Sequence, residues 1–365
     1  TMTPPDGAVL EDELAQLATT AGGEVVAIDV PSGIGDHFRE GFPVISADIT
    51  LTMGLPKLAL YLPRTRRHCG KIEVVSIGFP EALIEDPSIP GNRVEREELS
   101  GAVAPMPGDA YKNIRGHAAV FAGKGGTAGA ALLSAEGAGR AGAGLVSLFV
   151  DGEIYGSLAA AVPPIMVRPL EQEPTPDSAR GIDAVCVGPG WGTEGRESRF
   201  SRILALYPGG VIDADGIRLL SLLPEPVDLG GKWVLTPHPG EMSVLTGRGK
   251  GEILDDPIEV LISTCRKWNA CVLLKGAATF IAIPDGRYWV VDGMNPALGT
   301  GGAGDVLAGI ITGLMAGGTE PHIAAWVGAA IHAAAGELAA AEKGWFLANE
   351  LFPHVSRLSY GARQK

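Results

Sequence analysis

Cysteine is scarce in this 365-residue chain, which has four in all. They are Cys69, Cys186, Cys265 and Cys271, and no two of them form a Cys-x-x-Cys pair. Disulfide-dense scaffolds are small secreted domains, whereas thiols in the cytosol stay reduced. We therefore predict reduced cysteines, some of them buried, in a cytoplasmic protein.

Basic residues are also few, since 29 Lys and Arg against 42 Asp and Glu give a formal net charge of -13. The single basic group, Arg64, Arg66 and Arg67, is typical of a solvated loop. A negative net charge repels nucleic-acid backbones and acidic membrane surfaces. The composition predicts no nucleic-acid partner, but it leaves room for an anionic nucleotide held by backbone N–H groups and a few lysines.

Long apolar runs are missing as well. A membrane-spanning helix needs about 20 apolar residues, and residues 1–20 carry acidic side chains where a signal peptide would be apolar. Hydrophobic residues make up 46% of the chain and charged residues 19%, which is typical of a folded protein rather than a disordered one. These features predict a soluble protein with no membrane partner.

The first part of the chain has the pattern of an incomplete α/β domain. It predicts a helix over residues 10–20 and strands over 24–30, 47–53 and 71–77. Three strands with so little helix cannot cover both faces of a parallel sheet. A charged stretch with Pro and Gly, about residues 81–108, is the best boundary candidate. We therefore assign residues 1–98 to a partial domain with its linker.

Residues 99–365 alternate between strand and helix patterns, which predicts an α/β domain with a mainly parallel sheet and helices on both faces. The predicted strands are 118–122, 145–150, 184–187, 210–213, 233–235, 271–274, 279–283 and 288–291. The predicted helices are 128–141, 197–206 and 257–268, and two more start near Asp305 and His322.

The most specific segment is NPALGTGGAGD at residues 295–305, which runs directly into a helical pattern. Glycines let the backbone turn its N–H groups inward, and a helix N-terminus adds partial positive charge. Such a loop is suited to hold phosphate. Asp305 at the helix start is either a cap or a base that takes a proton from an attacking hydroxyl.

Other loops follow predicted strands, where open α/β sheets keep their ligands. The glycines of residues 123–129 and 188–190 form either tight turns or sites that approach a phosphate. Asp213 and Asp215 are either turn formers or acceptors of ligand hydroxyls. His238 is either an ordinary loop residue or a ligand contact, and Glu241 either caps the next helix or lies at the site. Lys275 either reaches solvent or neutralises a transferred phosphate.

Taken in order, these segments resemble the motif set of the ADP/ATP-dependent NAD(P)H-hydrate dehydratases, which have a ribokinase-like fold. The resemblance covers roughly residues 105–355 and adds RAGAGLV at 140–146 to the loops above. The motifs are GKGGTAGAALLS at 123–134, RAGAGLV, VGPGWG at 187–192, DADG at 213–216, TPHPGE at 236–241, KGAAT at 275–279 and the segment ending at Asp305.

The resemblance implies a three-layer ribokinase-like domain that uses ADP or ATP with Mg²⁺ to dehydrate NAD(P)HX, the hydrated form of NADH or NADPH. It makes Asp305 the catalytic base, and we expect a homo-oligomer; no metal ligand is assigned. The implied nucleotide-binding residues are Lys275, Gly276, Thr300, Gly301, Gly302, Ala303 and Gly304. The implied substrate-binding residues are Gly129, Gly190, Asp215, His238 and Asp305.

The amino-terminal part has a resemblance of its own. Its segments VVAIDVPSG (25–33), ADITLT (47–52), PK (56–57) and GKIEVVSIG (70–78) resemble the carboxy-terminal half of the NAD(P)H-hydrate epimerase domain, which is often fused to the dehydratase. The resemblance implies a partial Rossmann-like segment with a remnant site at Asp29 and Ser32. No Gly-rich phosphate loop precedes Asp29, so we expect the chain to begin in mid-domain and to lack epimerase activity.

Two other functions compete with this hypothesis. A small-molecule kinase of the same fold, such as a vitamin-precursor kinase, shares the loop and Asp305 but keeps its phosphorylated product. A regulatory module binds nucleotide without turnover, and the intact Asp305 argues against it. The TPHPGE and GAGL segments, together with the epimerase-like remnant, favour the dehydratase.

Overall fold

A computed structural model describes residues 22–364, except 36–37, 85, 87 and 171–173. The predicted helix over residues 10–20 lies outside the described residues. Within them the chain forms two sheets, one of three strands and one of ten.

The small sheet is parallel and contains β1 (Val26–Ile28), β2 (Ile49–Met53) and β3 (Lys71–Val75) in that order. Each strand falls within one of the predicted strand segments. A four-residue helix, α1 (Glu81–Ile84), follows them. The side chains of Val26 and Ile28 are 45% and 63% exposed. The described part of this region therefore leaves apolar side chains of its first strand exposed, as expected of a partial domain.

The strands of the large sheet are β4 (Gly91–Arg93), β5 (His117–Phe121), β6 (Leu145–Val150), β7 (Met166–Pro169), β8 (Ala184–Val187), β9 (Gly210–Ile212), β10 (Trp233–Leu235), β11 (Cys271–Leu274), β12 (Ala278–Ala282) and β13 (Tyr288–Asp292). They lie in the order β4-β13-β12-β11-β10-β9-β8-β5-β6-β7, and neighbours are parallel except at the β11–β12 and β12–β13 pairs. This arrangement confirms the predicted mainly parallel sheet.

Helices cover both faces of the large sheet and make it the middle of three layers. They are α2 (Ala128–Arg140), α3 (Gly152–Ala161), α4 (Pro176–Ala179), α5 (Glu197–Leu206), α6 (Asp215–Leu222), α7 (Pro239–Thr246), α8 (Lys250–Asp255), α9 (Pro257–Trp268), α10 (Ala303–Ala316), α11 (Pro321–Lys343) and α12 (Phe352–Gly361).

The alternation of side chains along β5 shows how the layers form. Ala118 and Val120 point into the core that contains α2, α10, α11 and α12. Ala119 and Phe121 point into the opposite core, which contains α5, α6, α7 and α9. Because successive strand residues face opposite sides, a central strand buried on both sides is apolar throughout. This is why continuous apolar runs predicted these strands.

Glycine allows helices α2 and α10 to pack backbone against backbone. A Cβ on Gly309 would lie 2.2 Å from the Ser134 carbonyl oxygen, and one on Gly313 would lie 2.3 Å from that of Ala138. Contacts this short exclude any side chain at either glycine. The close packing fixes the position of α10, and hence of the loop and the aspartate at its amino end.

The amino-terminal region docks on the large domain through a buried arginine. Arg66 is 6% exposed. Its Nε and Nη2 donate to the two carboxylate oxygens of Asp292 at 2.8 and 2.9 Å, and Arg64 pairs with Asp255 at 2.6 Å. The expectation that these arginines form a solvated loop is therefore wrong for Arg64 and Arg66, because acidic groups of the large domain hold them at the contact.

Strand β4 arises from the segment predicted as a linker. Its residues Gly91–Arg93 pair in parallel with β13 at the edge of the large sheet. Its three residues pair through backbone hydrogen bonds and show no apolar pattern, so the sequence does not predict this strand. The domain boundary at residue 98 stays a prediction.

Helix α11 corrects the expectation that no apolar segment is long enough to span a membrane. Among the described residues this helix meets that criterion by length and composition, yet 61% of its most apolar 18-residue window is buried inside the protein. A helix that is apolar on most sides is commonly a core helix. Packing in the core explains its composition.

All four cysteines are buried and free. Burial raises the pKa of the Cys69 thiol to about 11 and that of Cys265 to about 12. Thiols in this state are poor nucleophiles. The structure therefore agrees with the prediction of reduced cysteines.

Candidate active site

The predicted site loops meet at one edge of the large sheet. Strands β5, β8, β9, β10 and β11 are mutually parallel, so their carboxyl ends lie together. Each of these strands is followed at once by a predicted loop, at residues 123–129, 188–192, 213–216, 236–241 and 275–279. Segment 140–146 is different, because it precedes β6 and lies at the opposite edge. Ligands of open α/β sheets bind at the carboxyl edge.

Lys275 lies at the centre of a buried charged cluster. Its Nζ donates to Asp213 Oδ1 at 2.8 Å and lies 3.7 Å from Glu241 Oε2. Asp213 is 1% exposed and also accepts a hydrogen bond from Thr236 Oγ1 at 2.8 Å. The lysine thus balances two buried carboxylates that come from different loops.

Asp305 is the third residue of α10 and belongs to the same electrostatic group. Burial raises the pKa of its carboxyl to about 7, the charges of Asp213 and Glu241 act in the same direction, and Lys275 opposes them. A carboxyl with a pKa near neutrality can both accept and release a proton at physiological pH. This is the property required of a general base.

The glycine loop before Asp305 gives the backbone an unusual conformation. Gly302 has φ +92°, in the left-handed region, and a Cβ there would lie 2.3 Å from Leu133 Cδ1. A Cβ added to Gly304 would lie 3.5 Å from Lys275 Nζ, so the lysine is close to the loop backbone. The first N–H groups of a helix have no partner within it. Ala303 N–H donates to the Thr300 carbonyl at 3.3 Å. The N–H groups of Gly301, Gly302 and Gly304 have no such partner in the described chain and adjoin a lysine, which is a suitable arrangement for phosphate.

A cavity of about 610 Å³ adjoins this loop. Four of the seven predicted nucleotide-binding residues line it, namely Lys275, Gly276, Ala303 and Gly304. Its size lies within the range of small-molecule sites. Thr300 and Gly302 are not among its lining residues; they belong to the turn that leads into α10.

Sequence reasoning missed His332, which lines the same cavity from helix α11. Its Nε2 is buried without a hydrogen-bond partner in the described part of the chain. Burial lowers the pKa of the imidazole to about 4, although a backbone contact with Ala303 opposes this shift. The ring is therefore neutral at physiological pH. No motif surrounds His332 in the sequence, since it occupies one position of an alanine-rich helix.

A second cavity, of about 390 Å³, brings Gly129 together with Gly301. Its other lining residues include Leu133 and the segment 347–349 before α12. Gly129, which is predicted to bind substrate, and Gly301, which is predicted to bind nucleotide, thus line the same cavity.

Hydrogen bonds join the loops around Gly190 and Asp215. Thr127 Oγ1 donates to the Gly190 carbonyl at 2.6 Å, and Gly192 N–H donates to Asp215 Oδ2 at 2.7 Å. Ala214, next to Asp215, has φ +48° and ψ -116°. A non-glycine residue in this region is strained, and such strain is concentrated at functional sites.

His238 has a structural role that the sequence did not predict. Its Nδ1 accepts hydrogen bonds from Gly240 N–H at 2.9 Å and Glu241 N–H at 3.2 Å, so it caps helix α7. Glu241 Oε2 accepts from His238 N–H at 2.8 Å, which completes a capping box. Binding of substrate by His238 stays a prediction.

The structure places Asp29 and Ser32 apart from this group, beside the small sheet. Asp29 has φ +71° and accepts hydrogen bonds from Lys57 Nζ and from Met53 N–H, the latter at 2.9 Å. The lysine contact, followed by the backbone contact, holds the pKa of Asp29 below its usual value. Asp29 is therefore a paired carboxylate and does not join the cluster at Asp305.

The described residues contain no group of three or more His, Cys, Asp or Glu side chains arranged to hold a metal ion. Mg²⁺ commonly binds through substrate phosphates, water and one or two carboxylates. Asp213 and Glu241 are a carboxylate pair that fits this mode.

Comparisons with known proteins bear on the family and the fold. The model of a family described as NAD(P)H-hydrate dehydratase matches residues 118–357. The bifunctional NAD(P)H-hydrate repair enzyme Nnr of Moorella thermoacetica is 34% identical over 338 residues, which are 88% of this chain and 63% of that protein. The ADP-dependent (S)-NAD(P)H-hydrate dehydratase of Xanthomonas campestris is 34% identical over 69% of this chain and 90% of its own length.

Solved structures give the same result. A ribokinase-like superfamily protein from Enterococcus faecalis covers 76% of this chain and 98% of its own, with a TM-score of 0.69 and 24% identity, which confirms the fold. The ADP/ATP-dependent NAD(P)H-hydrate dehydratase of Bacillus subtilis, co-crystallised with ATP and Mg²⁺, covers 73% of this chain and 97% of its own, with a TM-score of 0.64 and 25% identity. The chain spans about two thirds of the length of its bifunctional relatives, 63% for the Moorella protein and 71% for that of Coxiella burnetii.

Proposed function

This chain belongs to the NAD(P)H-hydrate dehydratase family, and on that premise we propose that it converts NAD(P)HX to NADH or NADPH with a nucleotide as phosphate donor. One observation carries the proposal. Asp305, whose pKa is raised to about 7, lies in the first turn of the helix whose amino end adjoins Lys275. A base and a phosphate site are thus next to each other.

The first step is phosphoryl transfer. Asp305 accepts the proton of the ring hydroxyl, and the hydroxyl oxygen forms a bond to the terminal phosphorus of the nucleotide. The bond between that phosphorus and its bridging oxygen breaks, and AMP leaves from ADP, or ADP from ATP. The N–H groups of Gly301, Gly302 and Gly304 and the Nζ of Lys275 stabilise the charge that develops on the phosphoryl oxygens.

The second step is elimination. The lone pair of the ring nitrogen expels phosphate from the neighbouring carbon, so that the carbon–oxygen bond breaks. Loss of a proton from the next carbon then restores the ring double bond. Phosphate is a much better leaving group than hydroxide, which is the reason for phosphorylating first.

Nucleotide use follows from the family, whereas the donor, ADP or ATP with Mg²⁺, belongs to the proposal. The cation would bind with the nucleotide phosphates, next to the carboxylates of Asp213 and Glu241, and would reduce the negative charge of the phosphates. Gly129, Gly190, Asp215 and His238 are the proposed substrate contacts.

The test is to incubate the purified chain with NADHX and with ADP or ATP, each with Mg²⁺, and to follow NADH by its absorbance. The proposal predicts NADH formation that requires nucleotide and releases one phosphate per NADH. A small-molecule kinase would instead accumulate a phosphorylated compound. Nucleotide consumption with no NADH would reject the dehydratase in favour of that rival.

We also propose that the chain lacks epimerase activity, is cytoplasmic and forms a homo-oligomer. Asp29 is paired with Lys57, and the described part of the small sheet has three strands. Misplacing a reacting group by about 1 Å can reduce a rate on the order of 10²-fold. The test supplies S-NADHX and R-NADHX separately, without nucleotide, and follows their interconversion by chromatography. Acceleration well above the spontaneous rate would show a working epimerase.

A further inference from the structure

A cavity of about 560 Å³ lies at the opposite end of the large domain from Asp305. Three arginines line it, Arg115, Arg140 and Arg363, and we call it the arginine cavity. A Cβ on Gly317, just after α10, would lie 2.5 Å from Arg363 Nη2. Asp305 is twelve residues earlier on that helix, and at 1.5 Å per residue the two positions are about 18 Å apart. The arginine cavity is therefore separate from the proposed active site.

Two polar side chains that line this cavity are almost fully buried, and each has one polar atom without a hydrogen-bond partner in the described chain. Arg363 is 8% exposed, and its Nη1 donates to the Ala104 carbonyl at 3.1 Å. Its Nη2 and the hydroxyl of Ser359, which is 2% exposed, have no hydrogen-bond partner within the described chain. Buried donors are nearly always satisfied in folded proteins. The unmet donors indicate that an acceptor from outside the chain belongs here.

The charge in the arginine cavity is also unbalanced. None of its described lining residues is acidic. Arg140 pairs with Glu136 at 2.8 Å on the same helix, and Arg115 donates from its Nε to the Gly142 carbonyl at 3.2 Å. Among the described residues Arg363 has no carboxylate partner, and burial, with the nearby charge of Arg115, lowers its pKa. In a chain of net charge -13, such a concentration of positive charge calls for an anion.

We propose that the arginine cavity binds the phosphate group of a small phosphorylated metabolite. Guanidinium groups recognise both carboxylates and phosphates. The donors of Arg115, Arg363 and Ser359 outnumber the two oxygens of a carboxylate, whereas a phosphate monoester offers three terminal oxygens. The volume lies within the range of small-molecule sites. The turn after α2, with Arg140 and Gly142, thereby gains a role that the dehydratase chemistry does not give it.

The experiment is isothermal titration calorimetry of the full chain with inorganic phosphate, at saturating ADP so that the nucleotide site is filled. We expect one phosphate site, with binding at least about tenfold weaker in Arg115→Gln and in Arg363→Gln, since charge-assisted hydrogen bonds are lost. Arg180→Gln is the matched control, because that arginine is 85% exposed and does not line the cavity. It should bind phosphate as the wild type does.

Arg115 is on the exposed rim, so Arg115→Gln keeps the test valid if Arg363→Gln does not fold. Citrate, titrated in the same way, separates carboxylate from phosphate recognition and should bind more weakly than phosphate. The proposal is overturned by any of three results: no heat with phosphate, equal affinity in wild type and Arg115→Gln, or tighter binding of citrate.

Discussion

Asp305→Asn should make the protein more stable and nearly inactive. The substitution keeps the size of the side chain but removes both the base and the buried negative charge. Removing a general base alone typically costs about 10²–10⁴ in rate. Nucleotide binding should persist, because the loop N–H groups and Lys275 remain.

The gain in stability follows from the raised pKa of Asp305. The folded state holds the proton more tightly than the unfolded state, so this carboxyl destabilises the fold progressively as the pH rises from about 4 to about 7. Each pKa unit is worth about 1.4 kcal/mol, and a pKa raised from 3.8 to about 7 gives an upper limit of about 4 kcal/mol. Partial solvent access reduces this to about 1–2 kcal/mol, which for a domain of this size is about 2–4 °C in Tm.

The assay compares the Tm of wild type and Asp305→Asn at pH 4 and pH 8, together with NADH formation at pH 8. We expect a higher Tm for the variant at pH 8 and little difference at pH 4. Asp228→Asn is the control, because the pKa shift of Asp228 has the opposite direction: hydrogen bonds from Gly230 N–H and Asn269 lower it. It should show no gain at pH 8. Wild-type turnover in Asp305→Asn, or an equal Tm gain at both pH values, would refute the reasoning.

Three further predictions follow from the packing and charges of the described residues. Lys275→Met should lower kcat/KM. It should also move the midpoint of the acidic limb of the pH–rate profile above the wild-type value of about pH 7, because Lys275 lowers the pKa of Asp305. An unchanged midpoint would count against this cluster. Gly309→Ala should lower the free energy of unfolding, measured by chemical denaturation, by about 1–3 kcal/mol, since the added methyl overlaps a backbone carbonyl. The control is Gly156→Ala, also in a helix, where the methyl meets nothing within 4 Å and should cause no loss. Arg66→Gln should release the amino-terminal region to limited proteolysis while the large domain stays resistant, because a buried ion pair loses one partner; unchanged cleavage would show that this pair does not hold the contact.

The sequence predicted central strands more accurately than edge strands, for a physical reason. Strand β8 (Ala184–Val187) is buried at every position, and burial on both faces leaves an apolar run that can be read directly. Strand β4 (Gly91–Arg93) pairs with one neighbour through its backbone. Its side chains carry no such pattern, so only the tertiary structure reveals it.

The site was predictable as a set of loops but not as a cluster. The loops that contain Asp213 and Lys275 each follow a strand of the parallel part of the sheet, and that rule alone brings these two residues to one edge. The position of Asp305 depends in addition on the packing of α10. The sequence does not show that Lys275 binds Asp213 or that His238 caps a helix, since both depend on side-chain positions set by distant segments. His332 and the burial of Arg66 depend on such packing too.

The central claim is that the ring hydroxyl is phosphorylated before it leaves, and an isotope measurement tests it most directly. NADHX carrying ¹⁸O in the ring hydroxyl is converted by the enzyme with unlabelled ADP or ATP and Mg²⁺, and the released phosphate is examined by mass spectrometry. Phosphoryl transfer to the hydroxyl oxygen followed by carbon–oxygen cleavage predicts one ¹⁸O atom in each phosphate released. Unlabelled phosphate, with the ¹⁸O recovered in water, would contradict the account.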